Sequence, residues 1–403
     1  MIVIVVKPYV GFPNGTAATS RVAAYARGLA AAGEDVRVIL LGPSEADAAT
    51  AVNTEVSGVF RGIPFEYTSV STVKDPSFLR RRWRVISSLL AAGRRIRELD
   101  TRYGVDAILL YSAAPSTGWF FSRVSRSVRA VYALDLAEMP YHSMAPGAAR
   151  EARQERYGRG FIRRFDLVVA ITRYLAGYAK PYLRPGADAI VIPIMVDCNE
   201  YRSDQSPATN PRLVTYVGML NEQKDGVTTL MRAFSRVAAD LPDLCLRLVG
   251  DSDEARVSNI PEFRRVAAEL GVADRVEFAG QVRRDEIPAY LADSSVLVLA
   301  RPSSQRAEAG FPTKLGEYLA SGRPVVVTRT SDIPEYLTDG ESAYLAPPND
   351  VDALAERLRS ALAGPGAAAI GAAGRLVAER CFDYRVGGAV LAEAFRHLRE
   401  GSS

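Results

Sequence analysis

Two doubly wound α/β domains facing across a cleft are the fold this sequence predicts, and three observations carry the prediction. Short apolar, β-branched runs alternate with segments of helical period along the chain, the pattern of parallel strands joined by covering helices. A polar stretch with two prolines, 199–212, divides that alternation into two series. The 403 residues suffice for two cores at roughly 100–200 residues per domain.

The first series opens on Ile2–Val6, a buried strand ended by Pro8 and Gly11. A Gly/Pro loop, 9–16, leads into a helix with Val22, Ala26 and Leu29 on one face and Gly33 where a C-cap belongs. Segment 36–41 is the next strand, and the three pieces make a βαβ unit, hence a parallel sheet. Ala107–Tyr111, 130–134, 167–171 and 190–194 continue as strands. The second series reads as strands at Leu213–Val217, 244–249, 275–278, Val296–Leu299 and 324–328. Helices fall near 227–241, 261–270, 285–291, 314–321 and Val351–Ala363. The Ala/Gly-rich segment 364–374 reads as a low-complexity connection, and 384–398 as a last helix. The domain bounds are therefore 1–200 and 201–380, with a terminal helix in 381–403.

A net charge of +4 and a pI near 8.9 fall short of a dedicated nucleic-acid binder, so no nucleic-acid partner is expected. They suit anionic small ligands or an anionic membrane surface. Cys198, Cys245 and Cys381 lack CxxC spacing and read as reduced structural thiols of a cytoplasmic protein. With only two histidines, no metal site is expected. No run of about 18 apolar residues offers a transmembrane helix, and the apolar start is too short for a signal segment.

The richest chemistry lies in Glu308-Ala-Gly-Phe-Pro-Thr-Lys-Leu-Gly-Glu317-Tyr-Leu-Ala-Ser-Gly322. It follows a strand, and its Gly/Pro loop opens a helix. Free backbone N–H groups and the positive dipole end there make a phosphate site, built on Gly310, Phe311, Pro312, Thr313, Lys314 and Leu315. Glu317, one turn inside, can accept hydrogen bonds from ribose hydroxyls. In Tyr216-Val-Gly218-Met-Leu-Asn-Glu-Gln-Lys224-Asp-Gly226, a strand ends at Gly218 and Lys224 can reach a diphosphate. A cation there offsets charge building on a leaving group. The first βα loop offers Gly15 for close backbone approach. Asp135, Glu138 and His142 follow a strand end, where they can orient hydroxyls or serve as local caps and ion pairs. Segment 79–97 holds no acid. Leu79, Trp83, Ile86 and Leu90 share one helical face among Arg80, Arg81, Arg82, Arg84, Arg94, Arg95 and Arg97. That face suits anionic lipid, giving peripheral contact at the inner membrane face, or a lipid-diphosphate acceptor, or else a core stripe with a solvated basic surround.

These pieces resemble the retaining family 4 glycosyltransferases of the GT-B fold, two Rossmann-like domains, over nearly the whole chain. In that resemblance Gly15 matches the N-terminal loop, Lys224 the family lysine and Glu317 the second glutamate. Glu308 stands for the first glutamate, on the donor sugar, with Val282 beside the nucleobase. The run from Ala133 to Pro140 is similar to an exopolysaccharide-type subset. Two departures stand out. The glutamates are one residue further apart than is usual, and Met219 replaces an arginine whose charge Lys314 or Arg301 would supply. The resemblance implies transfer of a sugar from a nucleoside diphosphate sugar to an acceptor hydroxyl with retention. The acceptor would be a glycan, a lipid-linked sugar or a small molecule. Catalysis would rest on Lys224, Glu308, Asp135 and His142, without metal or cofactor. It also implies a last helix packed back on the first domain. The alternatives are a GT-B sugar-nucleotide epimerase or hydrolase, and a non-catalytic GT-B-like accessory protein.

Overall fold

The computed structural model describes residues 1–201, 212–251, 258–364 and 366–401, in two compact units. One comprises Met1–Met195 with Tyr384–Ser403, the other Val196–Asp383. The polar stretch 199–212 lies mostly outside the described residues.

The N-terminal unit is built on one sheet. Its strands are β1 (Ile2–Val6), β2 (Val36–Leu40), β3 (Ser57–Phe60), β4 (Ile63–Tyr67), β5 (Ala107–Tyr111), β6 (Val131–Leu136), β7 (Leu167–Ala170) and β8 (Asp188–Val191). They lie in the order β3-β4-β2-β1-β5-β6-β7-β8. All neighbours are parallel except the β3–β4 hairpin. A parallel sheet is covered on both faces, which is why β1, β6 and β7 are buried along their whole length. The order reverses at β1, so the loop 7–16 opens at a switch point, where such folds hold ligands.

Strand 190–194 of the sequence reading is corrected. β8 ends at Val191, because Pro193 has no N–H to continue the ladder and the Arg21 guanidinium takes the carbonyls of Ile192 (3.2 Å) and Pro193 (2.8 Å). The hairpin β3–β4 was not foreseen.

The terminal helix Tyr384–Glu400 belongs to this unit, with Leu391, Ala392 and Phe395 in its core. It crosses the helix Ala17–Ala31 at Gly28 and Gly388, where a Cβ on Gly388 would strike the Gly28 backbone. Gly388→Val should therefore lower the melting temperature, overpacking costing about 1–3 kcal/mol, and should free the terminal helix for proteolysis. Unchanged melting and protease resistance would contradict this crossing.

The second unit holds β9 (Leu213–Val217), β10 (Cys245–Val249), β11 (Val276–Gly280), β12 (Val296–Leu299), β13 (Val325–Thr328) and β14 (Tyr344–Ala346). The sheet is wholly parallel, in the order β11-β10-β9-β12-β13-β14. Its order reverses at β9, so the loops after β9 and β12 open side by side. Segment 364–374 is mostly not a connection but part of the helix Ala367–Val377. Alanine is the best helix former, and Gly371 and Gly374 let the helix close on the backbone of Gly322 and Ser342. β14, three residues long, was not foreseen.

No single helix among the described residues is long and apolar enough to cross a membrane. The three cysteines are free. Burial, with Asp383 and Glu379 nearby, pushes the Cys198 thiol up to about 12, so it stays protonated.

Candidate functional site

The carboxyl ends of β9, β10 and β11 are tied together by backbone. Gly218 N–H donates to Val249 O (2.8 Å) and Gly250 N–H to Gly280 O (2.7 Å). Leu220 N–H donates to Asp251 O (3.0 Å). Two glycines are sterically required. Gly218 holds φ +154°, which residues with a side chain rarely adopt, and places its missing Cβ where Lys314 Nζ lies; Gly226, left-handed at φ +64°, would with a Cβ strike Ala300 O.

Between those glycines lies the short helix Glu222–Asp225. Asn221 Oδ1 caps it by accepting from Lys224 N–H (2.9 Å), and Gly226 ends it. This turn buries Asp225. Lys314 Nζ lies 3.1 Å from Asp225 Oδ2, donates to Tyr216 Oη (2.8 Å) and stands 4.6 Å from the centre of that ring. The Tyr216 hydroxyl in turn donates to Met219 O (2.6 Å). Burial pushes the Lys314 ammonium below the ordinary lysine range; Asp225 opposes this, while Lys224 and Arg301 add to it. Arg301 is buried too and also lowered by burial, with Asp225 opposing. Its Nη1 donates to Gly310 O (3.2 Å). Lys224 is half-buried, and no partner for its Nζ is assigned among the described residues. Lys314 and Arg301 thus share the field of Asp225, Lys224 adds its charge beside Lys314, and Glu308 acts on Arg301 as well. The site keeps an excess of positive charge despite the methionine at 219.

The loop before the next helix is anchored rather than open. Ser304 Oγ caps the helix Gln305–Ala309 by accepting from Ala307 N–H (3.0 Å). The Glu308 carboxylate accepts from Ser331 N–H (3.2 Å), and the Ser331 hydroxyl donates to Glu308 O (3.1 Å). Phe311 is 5% exposed, its ring 5.7 Å from Tyr336 and 5.6 Å from Phe382. Leu315 is fully buried, its N–H taken by Pro312 O (3.0 Å). The side chains of Phe311 and Leu315 therefore anchor the loop in the core; with its N–H already taken, Leu315 is corrected from the expected contact with a ligand to a positioning role, while Phe311 keeps its backbone in the loop. Pro312 is the extended N-cap of the helix Thr313–Ala320. Among the described residues the N–H groups of Thr313 and Lys314 donate to no acceptor, as the first turn of a helix leaves them.

Glu317 sits on the next turn. Arg284 Nη2 reaches its Oε1 at 3.2 Å, and the Tyr201 hydroxyl donates to it. Burial raises this carboxyl above its usual range, against Arg284 and Tyr201. Val282 is half-buried in the loop after β11. Sequence reasoning missed Asp225, Tyr216, Arg284, Tyr201 and Ser331. Only Asp225 carried a signal, an acid directly after the candidate lysine.

In the N-terminal unit Gly15 is tightly held. A Cβ there would strike Thr19 Oγ1, which donates to Gly11 O (2.6 Å). The Tyr67 hydroxyl accepts from Phe12 N–H (2.8 Å) and donates to Phe12 O (2.9 Å). Asp135 is not a free catalytic carboxylate. Its Oδ1 accepts from Arg21 Nε (2.9 Å) and Tyr25 Oη (2.6 Å), all three buried. His142 Nδ1 lies 3.1 Å from Met139 O and 3.9 Å from Glu138 Oε2, so these two stay together while Asp135 turns inward. Among the described residues no three His, Cys, Asp or Glu side chains gather as a metal-binding group.

A family model described as glycosyl transferases group 1 matches residues 211–364, and one described as a glycosyl transferase 4-like domain matches residues 16–194. The chain belongs to the family 4 glycosyltransferases. This family 4 chain is 30% identical over 249 residues to the GDP-mannose-dependent alpha-(1-6)-phosphatidylinositol monomannoside mannosyltransferase of Mycolicibacterium smegmatis, covering 58% of this chain and 63% of that protein. It is 31% identical over 201 residues to the putative colanic acid biosynthesis glycosyltransferase WcaL of Escherichia coli, covering 49% and 47%. The chain thus spans between about half and two thirds of the length of these relatives. Among solved structures, Anabaena HepE in complex with UDP superposes with a TM-score of 0.71 at 19% identity, over 98% of this chain and all of that one. Sucrose-phosphate synthase of Thermosynechococcus elongatus gives 0.73 at 19%, over the whole of both chains. The fold is GT-B.

Proposed function

We propose that this protein transfers a sugar from a nucleoside diphosphate sugar to an acceptor hydroxyl, with retention of anomeric configuration and without a metal. The single observation that supports this most is the cluster of Lys314, Lys224 and Arg301 around buried Asp225, beside the free N–H groups of Thr313 and Lys314. Charge of that sign in a partly buried setting matches the charge that grows on a departing diphosphate. The bond from the anomeric carbon to the diphosphate oxygen breaks, and the acceptor oxygen bonds to that carbon on the same face. The acceptor's proton passes to the leaving diphosphate oxygen. Lys314, Lys224 and the helix start carry the developing negative charge, and Arg301 holds the loop through Gly310 O. Glu317 exchanges its Arg284 and Tyr201 partners for ribose hydroxyls. Relatives named for GDP-mannose and a neighbour holding UDP support a nucleoside diphosphate donor and make these two the first bases to test.

The test is product analysis. Incubated with the donor it binds and a panel of sugar and lipid-linked acceptors, the protein should form a glycoside whose anomeric proton coupling matches that of the donor. An inverted product, or free sugar released at the same rate with and without acceptor, would overturn the reading in favour of an inverting enzyme or a hydrolase.

Glu317 separates binding from folding. A carboxyl whose folded pKa is raised costs stability while ionised, a cost present above the raised value and gone as pH falls below the unfolded one. At pH 7 Glu317→Gln should therefore leave the melting temperature unchanged or higher, yet weaken donor affinity in calorimetry. A stable variant with full affinity would remove the ribose role.

A further inference from the structure

We propose that the first half of the helix Phe78–Tyr103 docks on an anionic lipid surface. The helix has two apolar faces. Ser88, Ala92, Ile96 and Leu99 are buried and form its inner face, fixed by Thr68 Oγ1 donating to Ser88 O (3.0 Å) and by Arg95 on Glu66 (2.9 Å). Leu90, two residues after Ser88, projects to the opposite side, as a helical step of two residues requires. Leu79, Trp83, Ile86 and Leu90 recur at i, i+4, i+7 and i+11 on that outer side. They are 77%, 69%, 51% and 55% exposed, so the stripe is not the core stripe. Exposed stripes of this size on one helix mark an interaction site.

Charge identifies the occupant. Exposed Arg80, Arg82 and Arg94 flank the stripe, and Arg81 and Arg82 lie over the Phe78 ring at 6.0 and 5.0 Å. No acid occurs between 79 and 97, and Arg84 is drawn away from the stripe by Asp75 (3.1 Å). An apolar strip bordered on both sides by arginine fits a surface that is apolar inside and anionic at its rim, which is an interfacial helix on acidic phospholipid. A second copy of this chain fits badly, because a two-fold contact along the stripe sets arginine against arginine.

Trp83 and Trp119 are the only tryptophans, so the full chain with Trp119→Phe reports on Trp83 alone. Titrated with phosphatidylcholine vesicles containing phosphatidylglycerol, its emission should shift to the blue and the protein should co-sediment. Pure phosphatidylcholine should bind more weakly, and added salt should release the protein. Leu79→Ser with Ile86→Ser should weaken binding by about tenfold or more at unchanged melting temperature, since both side chains are solvated in the free protein. Absence of binding to acidic vesicles, or binding unaffected by the double variant, would overturn the proposal. So would concentration-dependent dimers dispersed by that variant, which would assign the stripe to a second copy.

Discussion

Lys314→Met should lower kcat/KM for glycosyl transfer by about 10²–10³-fold, the usual effect of losing one preorganised donor to developing charge. Lys314 Nζ is held from two sides, by Asp225 Oδ2 at 3.1 Å and Tyr216 Oη at 2.8 Å, so it needs no reorganisation when charge appears. The substitution also leaves Asp225 buried without that cation, and breaking a buried pair costs about 3–5 kcal/mol. Loss of activity through unfolding must therefore be separated from loss of charge. Lys314→Met combined with Asp225→Asn removes both charges and should recover most of the melting temperature while activity stays low. Recovery of activity along with stability would make the pair purely structural. Lys224→Ala, with no partner assigned to its Nζ among the described residues, should leave the fold intact and still weaken the donor.

Asp135→Ala should cost about 3–5 kcal/mol in the N-terminal unit, because Arg21 is then a buried guanidinium without its carboxylate. Burial alone would lower the Arg21 pKa; Asp135, together with Tyr25 and Tyr111, more than offsets this and holds it above its ordinary value. Arg21 fastens the exit from β8 through Ile192 O and Pro193 O, so the loss spreads beyond one pair. At about 2–4 °C per kcal/mol for a unit of this size, the melting temperature should fall by roughly 6–20 °C. Arg21→Met with Asp135→Leu should restore much of it, since an apolar replacement of a buried pair is often neutral. A small change in the single variant would return Asp135 to the pool of candidate catalytic groups.

The parallel cores were legible because a strand covered on both faces is apolar nearly throughout: Ile2–Val6, Ala107–Tyr111 and Val296–Leu299 show it without interruption, and Leu213–Val217 with Thr215 alone intervening. The hairpin Ser57–Phe60 and Ile63–Tyr67 was not, since it is short, half-solvated and carries Pro64. β8 stops early partly for a local reason, Pro193 without an N–H, and partly for one no local pattern holds, an arginine far away in sequence that claims the carbonyls of Ile192 and Pro193. Segment 364–374 hid a helix behind an apparently uninformative composition. At the site, Lys224, Glu317 and the Gly-Phe-Pro loop stood out by their spacing around strand ends. That Phe311 and Leu315 face the core, and that Asp225 organises the cations, are facts of packing between distant segments. Arg21 did leave a trace, a charge on the otherwise apolar face of Val22, Tyr25 and Leu29.

The central claim, a diphosphate site at the Lys314–Asp225 cluster, is tested most directly by thermal shift of the full chain against UDP-, GDP-, dTDP- and ADP-sugars. At a hundred times Kd, a ligand of the folded state adds about 2.7 kcal/mol, or roughly 5–10 °C for units of this size. One donor should produce that shift in the wild type, and the Lys314→Met, Asp225→Asn protein should show little of it. No shift with any donor, or an equal shift in the double variant, would contradict the claim.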